Sequence, residues 1–244
     1  MRYFFLIFLK LFDYFNQKKI INFLKSKSLI NFDVFFDVGA HKGETIGIYL
    51  KNFNIKKIYS IEPSSINFNS LKKKIPYFIK RYPNTKIEIE NFALGSEQKK
   101  IYIKHMDESS SSTIRELNIS SNYFKRKSQL LYSGKSKDFF KKLEVNQLKL
   151  KNYMETMSIK KIDFIKIDTE GYEFEVLLGA EEEIKNINLI IFEHHYHDMI
   201  KKNYNFSDIH NLLKNKNFKQ IYKSKMPFRK TFEYIYVNNL DIKL

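Results

Sequence analysis

At 244 residues with 43% apolar content, the chain has the size and composition of one α/β domain with a single large core. It contains no cysteine, which excludes disulfides, thiolate metal sites and cysteine nucleophiles. The formal net charge of +16 would suit a nucleic-acid partner, but Lys, Asn, Ile, Phe and Tyr are all abundant while Gly, Pro and Trp are scarce. Because this bias is typical of A/T-rich coding sequence, we attribute much of the charge to surface lysines and disfavour nucleic acid.

The charged residues are unevenly distributed along the chain. Residues 121–151 contain nine Lys or Arg and two acidic residues, whereas residues 170–200 contain eight acidic residues and one Lys. A basic rim beside an acidic site favours a substrate with anionic parts over a uniform nucleic-acid surface.

Residues 1–31 form a separate N-terminal unit in this interpretation. Only seven apolar residues precede Lys10 without interruption, too few to span a bilayer, and no small-residue cleavage pattern of a signal peptide follows. We predict an amphipathic helical extension with a net charge of +5 over residues 1–30. Packing against the domain or a partner subunit is favoured, and contact with an anionic membrane surface is the alternative. A cytoplasmic protein is therefore predicted, peripheral to the membrane in the second case.

Short runs rich in β-branched and aromatic residues predict strands at 34–38, 58–62, 86–92, 162–168 and 188–195. Helix-like stretches follow the first, second and fourth runs. Strands that alternate with helices favour a mainly parallel, doubly wound sheet with helices on both faces.

Three further runs complete the predicted elements. Residues 100–106 alternate apolar and polar after a turn, which allows a hairpin with the strand before them. Residues 207–218 predict a helix, and residues 218–224 and 232–238 predict two strands, so that the sheet ends in an antiparallel C-terminal strand.

Residues 107–144 do not fit the alternation of strands and helices. Four serines, Ser109 to Ser112, are followed by basic and polar residues with a single glycine. We interpret the segment as an insertion or lid that is partly helical over residues 115–132, and a surface loop without fixed structure is the alternative. The main domain would then comprise residues 32–244.

The turn after the first strand has the composition of a cofactor-binding turn. Gly39 and Gly43 allow a ligand to approach the backbone N–H groups at the start of the next helix. The spacing differs from the dinucleotide fingerprint, because the third glycine is missing and Asp37 precedes the turn. Glu62 ends the second strand, where a carboxylate can accept hydrogen bonds from ribose hydroxyls. Asp37 would repel a pyrophosphate and attract a sulfonium, so the charges favour S-adenosylmethionine over NAD.

The fourth predicted strand is followed by a second acidic group. Asp168 and Glu170 flank its carboxyl end, where an open α/β sheet places its chemistry. The same acids could instead cap the following helix.

The chain resembles the FkbM family of S-adenosylmethionine-dependent methyltransferases. The likeness runs from about Phe32 to His195 through DVGAHKGET, SIEPS, ENFALGS, IKIDTEGYEFEVLLGA and FEHH, of which the fourth motif is specific to the family. The resemblance implies a Rossmann-like class I methyltransferase fold for residues 32–244. It also implies methyl transfer to an oxygen, often a hydroxyl of a sugar or of a polyketide-type product.

Site residues follow from the resemblance position by position. The implied cofactor-binding residues are Asp37, Gly39, His41, Gly43, Glu62, Asn91 and Ala93. The turn residues would hold the methionine part, Glu62 the ribose and Asn91 to Ala93 the adenine side. His41 stands where the family often has Asn. Asp168, Glu170 and Glu173 would lie at the reaction end.

An acceptor hydroxyl becomes a good nucleophile only as its proton is removed, so a base is expected near it. His194 is the first candidate and Glu193 the second, with Asp168 or Glu170 as alternatives. His194, His195 and His197 could instead be structural loop residues, or bind a divalent metal with Asp168. We assign no metal ligand in the predicted site, and a divalent metal is the third-ranked alternative, possible but without support in the sequence.

The sequence therefore predicts an S-adenosylmethionine-dependent O-methyltransferase that acts on a hydroxyl of a small molecule or glycan, most of all a sugar. A nucleic-acid methyltransferase would explain the charge, but the chain has no N-P-P-Y-type motif for amino methylation. A glycosyltransferase lacks its Asp-x-Asp motif here. A non-catalytic binding module on the same fold is the remaining alternative.

Overall fold

The computed structural model describes residues 2–106, 112–132 and 140–239. In chain order the strands are β1 (Asn31–Val38), β2 (Asn54–Ile61), β3 (Lys86–Glu90), β4 (Ala93–Leu94), β5 (Lys99–Met106), β6 (Glu116–Leu117), β7 (Phe140–Leu148), β8 (Ile162–Ile167), β9 (Ile187–His195), β10 (Ile200–Lys201), β11 (Phe218–Lys225) and β12 (Thr231–Asn238). The helices are α1 (Arg2–Ser26), α2 (Glu44–Leu50), α3 (Ser65–Arg81), α4 (Asn122–Tyr132), α5 (Leu150–Thr156), α6 (Glu173–Leu178) and α7 (Phe206–Asn215). A 3₁₀ helix spans Glu181–Asn186.

The central sheet has seven strands in the order β11-β12-β9-β8-β1-β2-β3. Five of them, from β9 to β3, pair in parallel, and β12 lies antiparallel between β9 and β11. The predicted doubly wound α/β fold with an antiparallel C-terminal strand is thus confirmed. Nearly every residue of β8 is buried, as expected for a central parallel strand covered on both faces.

The pleat of the strands separates two apolar cores. Phe36, Ile165 and Phe192 face α5, α6 and α7, whereas Phe35 and Phe164 face α1, α2 and α3. Because side chains alternate along a strand, this division also sorts the polar residues at the strand ends onto one face or the other.

A second sheet lies beside the first and joins β4, β7 and β5 in that order. β5 pairs antiparallel with β7 from Lys99 opposite Gln147 to Met106 opposite Phe140. The allowed hairpin between residues 86–92 and 100–106 does not form, because β3 pairs only with β2 in the central sheet. Local alternation predicted the strand β5 correctly, but its partner lies beyond the predicted insertion.

The described part of residues 107–144 has regular structure. β6 pairs with β10, and α4 follows, so the predicted helix occupies the second half of residues 115–132. Phe124 of α4 packs with Met106 and Met199. Residues 140–144 belong to β7. Ser109 to Ser111 lie outside the described residues.

The second half of α1 packs on the domain. Ile20 and Leu24 are fully buried in the core beside α2 and α3, and the ring of Phe23 stacks on Tyr222 of β11 at 4.2 Å. Packing against the domain, the favoured alternative, is therefore observed for this half. Within the described chain, no helix is long and apolar enough to cross a membrane.

Candidate functional site

A cavity of about 430 Å³ lies at the carboxyl ends of β1, β2 and β8. This edge of an open parallel sheet is where such folds bind their ligands. The acidic and basic side chains that line it are Asp13, Glu44, Glu62, Asp168, Glu170, Glu193, Lys166 and Arg229. The cavity is therefore acidic, although the chain as a whole is strongly basic.

Gly39 forms part of the cavity wall in the turn after β1. Its φ angle is +84°, and its N–H donates to the carbonyl oxygen of Ile61 at 2.9 Å. A Cβ atom at this position would overlap the carbonyl oxygen of Asp168. Only glycine lets the turns after β1 and β8 approach this closely. Gly43, also at positive φ, faces Leu71 of α3 and does not line the cavity.

Glu62 lies in the cavity wall at the end of β2 and is 4% exposed. Its carboxylate accepts hydrogen bonds from the backbone N–H groups of His41 at 2.8 Å and Ser64 at 2.9 Å. Burial raises the pKa of Glu62 to about 7, although these hydrogen bonds act in the opposite direction. Glu62 therefore holds the cofactor-binding turn in place as well as facing the cavity.

The predicted adenine-side residues separate in the structure. Ala93 lines the cavity, whereas Asn91 does not. The Asn91 side chain donates to the carbonyl oxygens of Glu62 and Pro63 at 2.8 and 3.1 Å. Asn91 thus supports the Glu62 turn from behind. His41 lines the cavity, and its Nδ1 lies 3.2 Å from Glu44.

A buried charge cluster lies on the face of the sheet that α1 covers. Lys166 of β8 is 3% exposed, and its Nζ donates to Asp168 at 2.7 Å. Although burial alone would lower it, the pKa of Lys166 is raised by the carboxylates of Asp168, Glu233 and Asp37. One cation among three carboxylates leaves the cluster acidic.

Asp37 is fully buried next to this lysine on the neighbouring strand. Neither of its carboxylate oxygens accepts a hydrogen bond from the described residues. Burial, with a further contribution from neighbouring carboxylates, raises its pKa to about 7 against the attraction of Lys166. Asp37 precedes Val38 and Gly39 in the cavity wall but does not itself line the cavity. The ionised Asp37 carboxylate adds negative potential to the cavity from behind its wall.

Glu170 and Glu193 also line the cavity. Between them, Nε2 of the buried His195 lies 3.3 Å from Glu170 and 3.7 Å from Glu193. The other ring nitrogen of His195 lies 3.1 Å from the hydroxyl of Thr231. Burial, with the nearby Asp168 and Glu170 charges, raises the pKa of Glu193 well above its ordinary value, and burial lowers that of His195. A neutral imidazole thus lies near both carboxylates, although its Nε2 makes no hydrogen bond with the described residues.

His194, the first candidate base, lies outside the cavity. Alternation along β9 directs Glu193 and His195 toward the α1 face and His194 toward the α7 face. The His194 ring packs against Tyr204 and Phe206, with centroids 5.9 Å apart in each case. Burial and the neighbouring Lys202 lower its pKa to about 3. The His194 ring thus lies on the opposite face of the sheet from the Glu193 side chain, which lines the cavity.

The metal alternative for the histidines has no matching geometry. Among the described residues, no three His, Asp or Glu side chains are arranged to hold a metal ion. His197 stacks on Tyr123 of α4 at 4.2 Å instead.

Sequence reasoning missed several residues of the cavity wall. Asp13, Tyr14 and Gln17 reach it from α1, and Met226 and Arg229 reach it from the turn between β11 and β12. Ser112 and Thr113 reach it from the predicted insertion. No local motif marks these residues, because they come from three segments that are far apart in the sequence. The alternation within NLIIFEHH was the one signal available for pairing Glu193 with His195.

A comparison with known protein families identifies the family of this chain. Residues 37–219, about three quarters of the chain, match the methyltransferase FkbM domain. The chain belongs to the FkbM methyltransferase family. This confirms the resemblance seen in the sequence, and with it the methyltransferase class and S-adenosylmethionine as the cofactor of the family.

Solved methyltransferase structures share the fold. An FkbM methyltransferase from Methylobacillus flagellatus aligns with a TM-score of 0.52 at 16% identity, covering 84% of this chain and 43% of that one. This chain thus spans less than half of that protein. A Synechocystis magnesium protoporphyrin IX methyltransferase with bound S-adenosylmethionine aligns with a TM-score of 0.50 at 8% identity, covering 91% of this chain and 77% of that one. No curated protein matches the sequence significantly.

The residues present fit this cofactor. S-adenosylmethionine carries an ammonium and a sulfonium, which suit an acidic cavity, and Glu62 stands at the strand end where a ribose is bound in such folds. Gly39 leaves the backbone open to a ligand on its cavity side, and Asp168 presents a carboxylate that is 30% exposed. Asp37 has two buried oxygens without donors, as expected beneath a cationic ligand.

Proposed function

We propose that this FkbM-family chain is an S-adenosylmethionine-dependent O-methyltransferase that acts on a hydroxyl, most of all of a sugar in a glycan, glycolipid or related metabolite. The observation that carries the proposal is the pair of carboxylates, Glu170 and Glu193, in the wall of the same acidic cavity as the turn at Gly39. The cavity can thus bind a cationic cofactor and also accept the proton of a hydroxyl.

The cofactor end has three groups with distinct roles in this proposal. Glu62 accepts hydrogen bonds from the ribose, the turn at Gly39 contacts the methionine part, and Asp168 attracts the ammonium. Lys166 holds the Asp168 carboxylate in place through its 2.7 Å hydrogen bond. The bound cofactor supplies an electrophilic methyl group, and alignment with the acceptor oxygen accounts for much of the acceleration.

Glu193 is the proposed base, and Glu170 and His195 are positioning residues. As the acceptor oxygen took the methyl group from the sulfonium sulfur and released S-adenosylhomocysteine, the hydroxyl proton would pass to the Glu193 carboxylate. The raised pKa of Glu193 makes its ionised form a stronger base than an exposed carboxylate. The His195 ring, 3.3 Å from Glu170 and 3.7 Å from Glu193, limits how the two carboxylates can lie beside each other. This assignment replaces His194.

The first test of the function is binding followed by transfer. Isothermal titration calorimetry should detect S-adenosylmethionine and S-adenosylhomocysteine, and a trideuteromethyl donor should label glycans or glycolipids in a cell extract. Mass spectrometry then locates the label on an oxygen. A protein that binds neither compound would be a non-catalytic module, and label on nitrogen would exclude O-methyl transfer.

A nucleic-acid methyltransferase is the alternative that the net charge of +16 favours. Phosphates would meet a cavity wall with six carboxylates, so any such contact would have to use the outer surface. A gel shift with RNA and DNA at increasing salt tests this alternative. Retention of a complex at physiological salt, with label on the nucleic acid, would favour it over the sugar acceptor.

A further inference from the structure

Two elements outside the family match close one end of the cavity. α1 precedes residues 37–219, and the turn between β11 and β12 follows them. Asp13 of α1 and Arg229 of the turn form an ion pair of 3.0 Å, and both side chains line the cavity. The rings of Phe12 and Phe228 meet edge to face at 5.0 Å beside it. Arg229 lies close enough to Glu193 and Glu170 to interact with their charges. The cavity wall around these two carboxylates is thus built partly from residues outside the family match.

This part of the wall is anchored to the sheet. Glu233 of β12 is 1% exposed and accepts hydrogen bonds from the side chains of Asn16 and Gln17, the second at 2.9 Å. The hydroxyl of Ser224 donates to Asn16 at 2.6 Å. Because the amides of α1 satisfy a buried carboxylate, the helix has a definite position relative to Glu193. A bound acceptor would therefore meet preformed groups.

The groups at this end have the chemistry that binds hydroxyls. Asp13 accepts hydrogen bonds, the Arg229 guanidinium donates them, and Gln17 can do both. The Tyr14 ring is half exposed at the cavity and offers a flat apolar surface with a polar tip. An acceptor that carries a phosphate or carboxylate would meet Asp13, Glu170 and Glu193 as well as the single arginine. An uncharged acceptor avoids this repulsion.

We propose that α1 and the β11–β12 turn form the acceptor subsite, and that it takes an uncharged, polyhydroxylated ring such as a pyranose. Asp13 and Arg229 hold adjacent hydroxyls, and Tyr14 covers the apolar face of the ring. The hydroxyl that is methylated then lies toward Glu193. This inference rests on the proposed function and deepens it, because it names the chemistry and the residues that select the acceptor.

Saturation-transfer NMR with defined probes tests the subsite. The full chain, saturated with S-adenosylhomocysteine, is mixed with the methyl pyranosides of glucose, galactose and rhamnose and with methyl glucuronide as the anionic counterpart. We expect at least one neutral pyranoside to bind and the glucuronide to bind about tenfold more weakly or not at all. Tyr14→Ala and Arg229→Met should each lower the affinity for the pyranoside about tenfold and leave the affinity for S-adenosylhomocysteine unchanged.

Matched variants test whether Tyr14, Asp13 and Arg229 contact the acceptor or only hold α1 in place. Tyr77→Ala and Arg81→Met alter exposed residues of α3 outside the cavity and should leave the probe affinity unchanged. The exchange D13R/R229D restores an ion pair, so it should recover the melting temperature lost in Asp13→Ala. Probe binding should stay lost in the exchange, because the donor and acceptor positions are reversed.

Three outcomes would overturn the subsite. They are binding of no neutral pyranoside, stronger binding of the glucuronide, and recovery of probe binding in the exchange variant. If the wild-type chain does not bind S-adenosylhomocysteine, the proposed function itself is contradicted. The two failures are therefore distinguishable in the same samples.

Discussion

The carbonyl oxygen of Asp168 fills the space that a side chain on Gly39 would need. Two turns that are far apart in the sequence are thereby packed backbone to backbone at the cavity wall. Each turn limits where the other can lie, so the turn at Gly39 and the turn that carries Asp168 and Glu170 are positioned together.

Gly39→Ala should therefore damage both stability and cofactor binding. A Cβ atom at φ +84° adds strain of about 1–2 kcal/mol before the overlap with Asp168 is counted. We expect thermal melting several degrees below that of the wild type and an S-adenosylhomocysteine affinity reduced at least about tenfold by calorimetry. Gly47→Ala in α2 is the control, since its Cβ would meet only the side chain of Phe78 at 3.3 Å. Equal behaviour of the two variants would show that the close approach is unimportant.

Asp37→Asn should make the free protein more stable at alkaline pH and should lower its affinity for the cofactor. The pKa of Asp37 is raised from 3.8 to about 7 in the folded chain. Its contribution to stability is therefore fully present below about pH 4 and is lost as pH rises through about 7. Removing the charge should raise the free energy of unfolding by on the order of 2 kcal/mol at high pH and by little in acid.

Urea unfolding of the wild type and Asp37→Asn at several pH values measures this difference. Calorimetry at neutral pH should show weaker S-adenosylmethionine binding by Asp37→Asn, because a cation loses its buried counter-charge. Glu88→Gln, a change of a partly exposed carboxylate on β3, is the control. A stability difference that does not depend on pH would contradict the proposed burial of an ionisable Asp37.

Glu62→Gln should abolish discrimination of the ribose hydroxyls. If Glu62 accepts their hydrogen bonds, the wild type binds S-adenosylhomocysteine about tenfold or more better than its 2′-deoxy analogue. The variant should bind the natural compound more weakly and close the gap between the two ligands. Asn91→Ala removes only the hydrogen bond that supports the Glu62 backbone, so it should lower the affinity for both ligands equally. A gap that survives in Glu62→Gln would exclude the ribose role.

Glu193→Gln should lower kcat by on the order of 10²–10⁴ and leave the affinity for S-adenosylhomocysteine unchanged. In the wild type, kcat should rise with pH as Glu193 loses its proton, at a pH well above that of an ordinary carboxylate. His195→Gln should shift this profile, since the ring contacts both carboxylates. The profile is measured with the acceptor identified by trideuteromethyl labelling.

His194→Gln is the matched control for the base. Its ring lies on the α7 face, so the variant should melt at a lower temperature but keep kcat within a few-fold below that temperature. A large loss of kcat in His194→Gln together with full activity of Glu193→Gln would restore His194 as the base and reject Glu193.

Much of the fold could be predicted from local patterns. The apolar runs that contain Phe36, Ile165 and Phe192 predicted the central strands, because a buried parallel strand must be apolar on both faces. Gly39 and Glu62 predicted the ligand edge, since parallel strands bring their carboxyl ends together. Each of these inferences depends on neighbouring residues or on a single strand end.

Pairings between distant segments could not be predicted in this way. The partner of β5 is β7, and nothing in the alternation of either strand names the other. Alternation along β9 could have separated His194 from Glu193, but which face carries the cavity depends on where α1 packs. Strand periodicity specifies opposite faces without saying which one meets the ligand.

By itself, the sequence determined the family, the parallel sheet and the cofactor edge of this protein. These features depend on contiguous motifs, and each motif encodes its own local conformation. Only the tertiary structure brought Asp13 to Arg229, and Glu170 to the pair of Glu193 and His195. Those contacts form between the two ends of the chain and across neighbouring strands, and long-range packing selects them. The acceptor end of the cavity is accordingly a property of the folded chain.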